Sequence, residues 1–547
     1  MDVSFFLKFT FLFFLIDKIF FLSPLYSQGK FEAEEQLYSF INKEDTLTKN
    51  GKNIREYDST KKTSPLKVTL QVKEIPAELL IKSGYKPDSL GNLKLHSDEL
   101  LAFKDRIISE SENSGHPFAS ISFINTNILN DEIVSYCKYQ AGTLIVFDSL
   151  QVYGDVRIKK KFLARYLELT SNSENIQLPF SQKKIDEIKS NIDELPYLSL
   201  TKEPNIIFDY DKAVVVLYLK EEKVNSFDGV LGLATNSSSD SKVSLTGQLD
   251  FKLYNPFGSG KELLFNWQRV KQASPVYNLG YSHPNFVNSG LDLNFQLNSL
   301  QEDSTFRNLS WELGFSQRLT AKSEISFSYL SKSHINLDEE STTLDNLPSG
   351  NAKISSKMFG ISFLRHTLNN ILYPSSGWRA NFSVYLGKRK LYLVSTDTLS
   401  GENLRYILKA DLQKYTTLNR NFTLVNNINF GLIGGAHVYK SEMFRAGGIY
   451  SIRGFSENIF FADEFLILNN EIRVNMADQS YLFIFNDIAY IREKYNSSNS
   501  IPIGLGAGLN LTIKNGNLLL AFGFGKEDKT SKFFDNSRFH FGYKAIF

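Results

Sequence analysis

The amino-acid sequence predicts two small α+β domains followed by a transmembrane antiparallel β-barrel of about 16 strands. Its first residues have the pattern of an export signal. Residues 66–222 alternate strand and helix patterns, and the order of these elements occurs twice. From residue 225 to the end, helical periodicity gives way to short segments in which apolar and polar residues alternate. These three observations together predict the fold class.

The composition of the chain excludes several classes of protein. Its 547 residues carry 61 Lys and Arg against 59 Asp and Glu, and this balance supplies no basic excess for a nucleic-acid binder. The single cysteine, Cys137, excludes a disulfide scaffold and a cysteine-rich metal site, and we expect it to be a small buried strand residue. Beyond the N-terminal signal, no apolar run approaches the roughly 18–20 residues of a membrane helix. Any membrane span must therefore be built from strands.

Residues 1–27 are predicted to be a cleaved secretory signal. Lys8 precedes a largely apolar run, and we expect cleavage near Ser27. A membrane anchor is the alternative, but the charged pair Asp17-Lys18 in the middle of so short a run disfavours it. Residues 28–65 are polar and charged, and are predicted to be a mostly disordered linker.

Residues 66–142 and 143–222 are predicted to form two α+β domains of similar element order. Each contains an opening strand, helix-spaced apolar residues and two closing strands, and each is long enough for its own small core. The run Lys159-Lys160-Lys161 is interpreted as the solvated face of a helix, in preference to a binding patch. The expected strands lie at 66–72, 120–128, 133–139, 143–152, 198–209 and 213–219, and the expected helices at 97–114, 157–169 and 181–195.

Residues 225–547 have the alternation of strands with one apolar face. From Ile501 to Lys514 every second side chain is apolar, with glycine, proline or polar residues between, and Asn515-Gly516 supplies a hairpin turn. In a soluble sandwich the apolar face would pack on a second sheet, whereas in a membrane barrel it faces lipid. The export signal and the aromatic content of 14% favour the barrel. The 323 residues of this region, at about 20 per strand with its connection, give about 16 strands.

The sequence contains no motif that predicts catalysis. It lacks His-Glu-x-x-His, Gly-x-Ser-x-Gly and a phosphate-binding loop, and its seven histidines are scattered without ligand spacing. Gly504, Gly506 and Gly508 superficially look like part of a nucleotide loop, but they alternate along a strand and no helix follows. They are interpreted as small residues that face the lumen. We therefore expect neither an enzyme nor a bound metal or cofactor.

One charged cluster stands out in the barrel region. Arg453, Gly454 and Phe455 join two strand regions, and Glu471 lies on the strand that follows. Asp487 interrupts an otherwise apolar strand; because a charge that faces lipid is costly, we expect it to face the lumen and to need a cationic partner. Arginine suits this partnership through paired hydrogen bonds to a carboxylate. The alternative is a solvated loop arginine and a turn acid.

The segment Ile452-Arg453-Gly454-Phe455 resembles the Val-Arg-Gly-Phe/Tyr signature of the outer-membrane POTRA-barrel superfamily. This superfamily, also called the bacterial surface antigen family, includes the BamA- and TamA-like assembly factors and the two-partner secretion exporters. The segment 485–489 is similar to the family's Phe-x-Asp-x-Gly pattern, with Ala489 in place of glycine, and 370–378 resembles another barrel motif. The resemblance implies that Arg453 lies on a long extracellular loop folded into the barrel, where it meets Asp487.

Two further segments carry the same resemblance. Gly115, Pro117, Phe118 and Ala119 match the Gly-Tyr-Pro-Phe-Ala turn of POTRA domains, with His116 in place of tyrosine. The C-terminal residues Phe539, Phe541, Tyr543 and Phe547 are similar to the β-signal that is read by outer-membrane assembly machinery. Together the matching segments span residues 66–547 in the family's order. They imply POTRA domains at 66–142 and 143–222 and a barrel at 225–547.

The resemblance implies a non-enzymatic outer-membrane assembly or translocation factor, with its N-terminal domains in the periplasm. Its expected partners are outer-membrane lipid, unfolded outer-membrane or secreted client proteins, and periplasmic chaperones or accessory subunits, but no nucleic acid. A client would pair with an exposed sheet edge of the POTRA domains. It would then pair at the barrel seam, between a first strand at about 227–235 and a last strand at 539–547.

Two other functions remain open on the sequence. A two-partner secretion exporter shares two POTRA-like units, and the segment 28–65, with a short amphipathic helix at 31–41 and the linker, resembles a vestige of its lumen plug. That helix spans only about 16 Å at about 1.5 Å per residue, which disfavours this alternative. A passive porin is the third candidate, although it needs no α+β domains.

Overall fold

The computed structural model describes Leu66 to Ile546 with gaps. The predicted signal peptide at 1–27, the linker at 28–65 and Phe547 lie outside the described residues. The internal gaps are 130–131, 171–176, 236–242, 270–274, 303–305, 337–351, 394–397, 436, 477–479, 495–497, 514–515 and 528–535.

The first N-terminal unit is a four-stranded mixed sheet with two helices. Its strands stand in the order β2-β1-β4-β3, with β1 parallel to β4. The longer helix buries Phe103 and Ile107, four residues apart, against Val68 and Leu70 of β1. The sequence analysis missed the short helix and β2. The elements are β1 Lys67–Gln71, α1 Ala77–Lys82, β2 Asn92–His96, α2 Leu100–Asn113, β3 Ser120–Leu129 and β4 Glu132–Gln140.

The second unit shares with the first the parallel pairing of its first and last strands, but no strand is described between its two helices. Helix α4 begins after Ser181, whose hydroxyl accepts a hydrogen bond from the Lys184 N–H, and it buries Ile185, Ile188 and Ile192. The single strand predicted at 198–209 is wrong: β6 and β7 are separated by a segment containing Pro204, which has no N–H for a ladder. The elements are β5 Val146–Tyr153, α3 Lys160–Tyr166, α4 Gln182–Asp193, β6 Leu198–Leu200, β7 Asn205–Asp209 and β8 Lys212–Glu221.

The remainder of the described chain is a large antiparallel sheet of 17 strands, curled into a barrel. The number differs by one from the predicted 16 because β24 and β25 both pair with β23 and are separated at Ile501-Pro502. Two short strands, β20 and β21, form a separate hairpin. The strands are β9 Ser226–Thr235, β10 Val243–Tyr254, β11 Glu262–Arg269, β12 Pro275–His283, β13 Asp292–Glu302, β14 Phe306–Thr320, β15 Ser323–Asn336, β16 Ala352–His366, β17 Gly377–Leu393, β18 Thr398–Thr417, β19 Phe422–Gly435, β20 Phe444–Ala446, β21 Phe460–Ala462, β22 Glu464–Asn475, β23 Tyr481–Glu493, β24 Ser498–Ser500, β25 Ile503–Ile513, β26 Gly516–Lys526 and β27 Asn536–Ile546.

The first and last strands of this sheet meet over a very short distance. β9 pairs with β10 at ten positions, and β26 pairs with β27 at ten. By contrast, β27 pairs with β9 at two positions among the described residues, Ala545 with Phe227 and Ile546 with Ser226. The ring is therefore incompletely closed, and most of the β9 edge is not paired with β27.

The alternation predicted for the barrel strands is present as two chemically different faces. On β16, Phe359 and Ile361 are 73% and 52% exposed on the outer face. Met358, the residue before Phe359, points to the inner face and is fully buried. The adjacent β17 continues the outer face with Val384 and Leu386. A continuous exposed apolar surface of this kind is what a lipid-facing barrel presents. Separately, no helix among the described residues is long and apolar enough to span a membrane.

The second N-terminal unit packs against turns at one end of the barrel. The Lys159 N–H donates to the Gly258 carbonyl at 2.7 Å, and His366 Nε2 lies 3.0 Å from Glu194 Oε2. The Arg318 guanidinium stacks 3.9 Å above the ring centroid of Tyr166. These turns connect β10 to β11, β14 to β15 and β16 to β17, so they share one end; the long connection from β19 to β22 leaves from the other.

Candidate functional site

The connection from β19 to β22 folds back into the barrel, and residues 437–463 are called the lumen loop here. The hairpin of β20 and β21 lies within it. Ile452 and Phe455, near its tip, are buried against Ile467 of β22 and Ala489 of β23. At its start, the Ser441 carbonyl accepts a hydrogen bond of 2.8 Å from the Asn308 side chain of β14. The loop therefore contacts strands on opposite sides of the lumen.

Arg453 is the main ionic anchor of this loop. Its backbone N–H and its Nε each donate to Asp487 Oδ2 at 2.8 Å, and Nη2 donates to Oδ1 at 2.6 Å. Nη1 donates to Glu471, and the guanidinium lies 4.0 Å above the ring centroid of Phe485. Arg473 also donates to Glu471, at 2.9 Å. The positive charges of the two arginines are therefore balanced by the negative charges of Asp487 and Glu471.

The burial of this cluster makes its pairing energetically important. Asp487 has no exposed surface, and Arg453 is 6% exposed. A buried ion pair adds little net stability, but removal of one partner leaves an unpaired buried charge, at a cost of about 3–5 kcal/mol. The three bonds from Arg453 to one carboxylate also fix the orientation of the loop tip. The predicted residues Arg453, Asp487 and Glu471 are thus brought together at one site.

The loop tip rests on a floor of inward-facing glycines of β25 and β26. A Cβ at Gly504 would lie 2.0 Å from the Arg453 carbonyl oxygen, and one at Gly523 would lie 2.9 Å from the Gly454 nitrogen. Gly454 has a φ of +92°, and a Cβ there would lie 2.6 Å from the Phe524 carbonyl. The alternating glycines therefore allow the loop backbone to lie directly on the barrel wall. Phe455 packs over Gly525, the next glycine of this floor.

A second buried ionic cluster holds the start of the loop. Glu442 accepts two hydrogen bonds of 3.2 Å from Arg389 of β17 and one of 2.8 Å from Arg405 of β18. The sequence analysis missed it, because Arg389 stands in the apparent surface run Lys388-Arg389-Lys390. Strand alternation could have revealed the cluster, because it places Arg389 on the opposite face from Lys388 and Lys390. These two lysines pair with the exposed Glu402, while Arg389 points inward.

The turn predicted from Gly115 to Ala119 lies between the two N-terminal units. The Gly115 carbonyl accepts a hydrogen bond of 2.7 Å from the Ile145 N–H, and its φ is +95°. Phe118 is exposed on one side, and its ring stacks edge-on against Phe208 of the second unit at 5.0 Å between centroids. Pro117 is half-buried and Ala119 closes the turn with a bond to the His116 carbonyl. The turn therefore fixes how one unit follows the other.

The predicted C-terminal residues lie on the last strand. Phe539 is 64% exposed on the outer face. Phe541 and Tyr543 are paired in register with Leu520 and Leu518 of β26, and Phe547 lies outside the described residues. No group of three or more His, Cys, Asp or Glu among the described residues could hold a metal ion.

Comparison with known proteins identifies the family. The model of the Omp85 superfamily domain matches residues 255–545. No curated protein matches the chain in sequence. Among solved structures, CdiB from Acinetobacter baumannii is similar at 13% identity and a TM-score of 0.58, over 94% of this chain and 96% of that one. CdiB from Escherichia coli is similar at 13% identity and a TM-score of 0.54, over 96% and 100%.

A third similar structure is BamA from Haemophilus ducreyi lacking POTRA domains 1–3, at 15% identity and a TM-score of 0.49, over 88% of this chain and 99% of that one. The two CdiB structures establish the likeness of fold, and the match to the family model covers more than half of the chain. The predicted family is confirmed: the chain belongs to the Omp85 superfamily, with a role in outer-membrane protein assembly or secretion.

Proposed function

We propose that this protein receives unfolded client polypeptides through its N-terminal units, as POTRA domains in the periplasm, and inserts or translocates them by strand pairing at the barrel seam. The seam is the junction between β9 and β27. The mechanism exchanges one set of backbone hydrogen bonds for another, so it requires no catalytic group, nucleotide or cofactor. Clients, outer-membrane lipid and periplasmic chaperones or accessory subunits are the proposed partners.

The seam is the observation that carries this proposal. Among the residues that the structure describes, two pairs join β27 to β9, while each of these strands has ten pairs with its other neighbour. Opening the seam therefore breaks few backbone hydrogen bonds. Each β9 N–H and C=O group that faces the seam in a lipid environment needs a partner, because an unsatisfied backbone group costs several kcal/mol there. A client strand is a suitable partner.

The N-terminal units offer edges of the same kind. β3 is one of the two edge strands of the first sheet, and β7 lies at an edge of the second. β3 has an irregular register between Ile124 and Asn127, and a bulge of this type limits uncontrolled pairing along an edge. The regular part of β3, from Ser120 to Phe123, is the proposed place for an extended client segment.

The test is a disulfide that holds the seam shut. In a Cys137→Ala background, Phe227→Cys with Ala545→Cys links the paired positions, and Phe251→Cys with Phe265→Cys links β10 to β11 as the matched control. Each variant replaces the depleted native protein, and outer-membrane and secreted proteins are quantified by mass spectrometry. We expect client loss with the oxidised seam pair alone, reversed by reductant. Normal client levels with a fully oxidised seam would refute strand pairing there.

The two-partner secretion exporter is the second candidate. The same depletion separates the two, because an exporter would lose one secreted protein while an assembly factor would lose many outer-membrane proteins. A secreted β-helical protein encoded beside this chain would favour the exporter.

A further inference from the structure

The second N-terminal unit and the first barrel turn form a cationic surface, called the basic junction patch here. It comprises Arg157, Lys159, Lys160 and Lys161 of the second unit, all exposed, and Lys261 at the end of the turn between β10 and β11. Lys161 also makes a contact within the protein. The interpretation of the lysine run as an ordinary solvated helix face does not explain why these cations gather at the barrel rim.

The patch is held rigidly on the barrel. The Lys159 N–H donates to the Gly258 carbonyl at 2.7 Å, and the Asn255 side chain donates to the Arg157 carbonyl at 2.9 Å. Gly258 adopts a φ of +69°, which favours glycine. These backbone contacts fix the height of the cations relative to the barrel strands.

That height corresponds to the headgroup layer of a membrane. The outer apolar face of β10 and β11 ends at Leu253, which pairs with Leu263 just before the turn. Phe257, at the tip of the turn, is four residues beyond Leu253, or at most about 13 Å along the chain at about 3.3 Å per residue. The headgroup layer of a bilayer begins where the hydrocarbon core of about 30 Å ends, and it is several ångströms thick.

An exposed aromatic ring accompanies the charges. Phe257 is 58% exposed, and Lys261 Nζ lies 5.7 Å from its ring centroid. Aromatic rings beside cations are typical of the membrane interface, where the ring enters the headgroup layer and the charge meets phosphate. A cleft of about 650 Å³ lies behind the ring and is lined by Arg157, Lys159 and Asn255 among others.

Acidic residues reduce the positive charge without cancelling it. Glu221 also lines the cleft, and its Oε2 accepts a hydrogen bond of 3.3 Å from the Arg157 N–H; Asp155 precedes the patch in sequence. Glu262 directly follows Lys261 and is a third carboxylate, against the five cations of the basic junction patch. We propose that the patch binds the headgroups of anionic phospholipids in the leaflet next to the N-terminal units, with the phosphate over the cleft.

The experiment uses the full chain in nanodiscs that contain a trace of phosphatidylglycerol or phosphatidylcholine with a photoactivatable headgroup. Adducts are mapped by mass spectrometry to residues 157–161 and 255–261. We expect about five times more adduct with phosphatidylglycerol, the factor that one cation contributes near an anionic surface. This excess should fall as salt is raised in the unmodified protein.

A triple variant, Lys159→Gln, Lys160→Gln and Lys161→Gln, should lower the excess of phosphatidylglycerol adduct over phosphatidylcholine adduct, although Arg157 and Lys261 remain. The matched control replaces three exposed lysines of the first unit, Lys67, Lys94 and Lys138, by Gln and should leave the excess unchanged. Equal adducts with the two lipids in the unmodified protein, or an excess insensitive to both salt and the triple variant, would overturn the proposal. Neither result depends on client assembly, so the proposed function is tested separately.

Discussion

Asp487 receives three hydrogen bonds from one residue, Arg453, and has no exposed surface. We predict that Arg453→Ala or Asp487→Ala impairs client assembly or secretion while the barrel still inserts. The reason is local, because the unpaired buried charge costs about 3–5 kcal/mol and is relieved by movement of the loop tip. Insertion is measured by heat-modifiable electrophoretic mobility, and loop movement by limited proteolysis of intact cells or vesicles.

The matched control for this prediction is Arg420→Ala, which removes an exposed cation from the turn between β18 and β19. It should change neither client levels nor proteolysis. If both site variants assemble clients normally, Arg453 and Asp487 have no role in function.

Cys137 illustrates a residue whose environment suppresses its chemistry. It is fully buried in β4, and this burial raises the pKa of its thiol to about 12. Because the thiolate is the reactive form, we predict very slow alkylation of the folded protein at pH 8 and rapid alkylation in denaturant. The measurement is mass spectrometry after a timed reaction with iodoacetamide. Rapid native labelling at pH 8 would show that the first unit opens readily.

At the scale of elements, the floor of inward-facing glycines on β25 and β26 is predicted to matter as much for the position of the loop tip as the ion pair of Arg453 with Asp487. Gly504→Ala places a Cβ 2.0 Å from the Arg453 carbonyl oxygen, and such overpacking typically costs about 1–3 kcal/mol. We expect the loop to become protease-sensitive, as in Arg453→Ala, although every charged residue is retained. Gly542→Ala is the control, since its Cβ would meet its nearest neighbour at 3.8 Å. Equal sensitivity of both alanine variants would contradict this explanation.

The start of the lumen loop is also predicted to be destabilised by a single substitution. Glu442→Gln leaves Arg389 and Arg405 buried without their shared carboxylate, at a cost of about 3–5 kcal/mol. We predict a lower temperature for the heat-modifiable mobility shift than in the unmodified barrel. Glu402→Gln is the control, because Glu402 pairs with exposed lysines on the outer face and surface pairs are worth about 0–1 kcal/mol. An unchanged transition in Glu442→Gln would show that the cluster is dispensable.

The sequence predicted some elements better than others, for physical reasons. Helix α4 was predicted well because Ser181 caps it and its isoleucines recur at helical spacing. Helix α1 has six residues, too few for a periodic pattern. The pairing of Arg453 with Asp487 was expected from a family motif together with the cost of a charge in an apolar strand. Glu442 had neither indication, because no family motif covers it and its partner Arg389 stands in the apparent surface run Lys388-Arg389-Lys390.

At the scale of the whole molecule, the lumen loop is predicted to restrict conductance. It contacts Asn308 on one side of the lumen and Asp487 on the other. We expect low conductance of the full chain in planar bilayers and a several-fold rise when residues 449–457 are replaced by a Gly-Ser linker. Large conductance of the unmodified chain, independent of both the loop and residues 66–222, would instead favour a passive porin.

The sequence also predicted the large-scale order of two α+β units before a barrel, because period-two and helical patterns are local properties. It could not reveal the short seam, since pairing between β9 and β27 depends on strands some 300 residues apart. Nor could it show that the second unit docks on the barrel turns, where Tyr254 joins the core of that unit. Such contacts arise from three-dimensional packing.

The glycine floor has a consequence for the order in which the molecule can fold. Arg453 finds its carboxylate 34 residues later in the chain, and Gly454 rests on strands later still. The tip cannot dock until β25 and β26 exist, so its contacts form among the last. Contacts between such distant residues require chain closure before they give any stabilisation, which makes them slow to form. A chain that ends before β25 would therefore hold an undocked tip, and the lumen loop reaches its final position only after the C-terminal strands have formed.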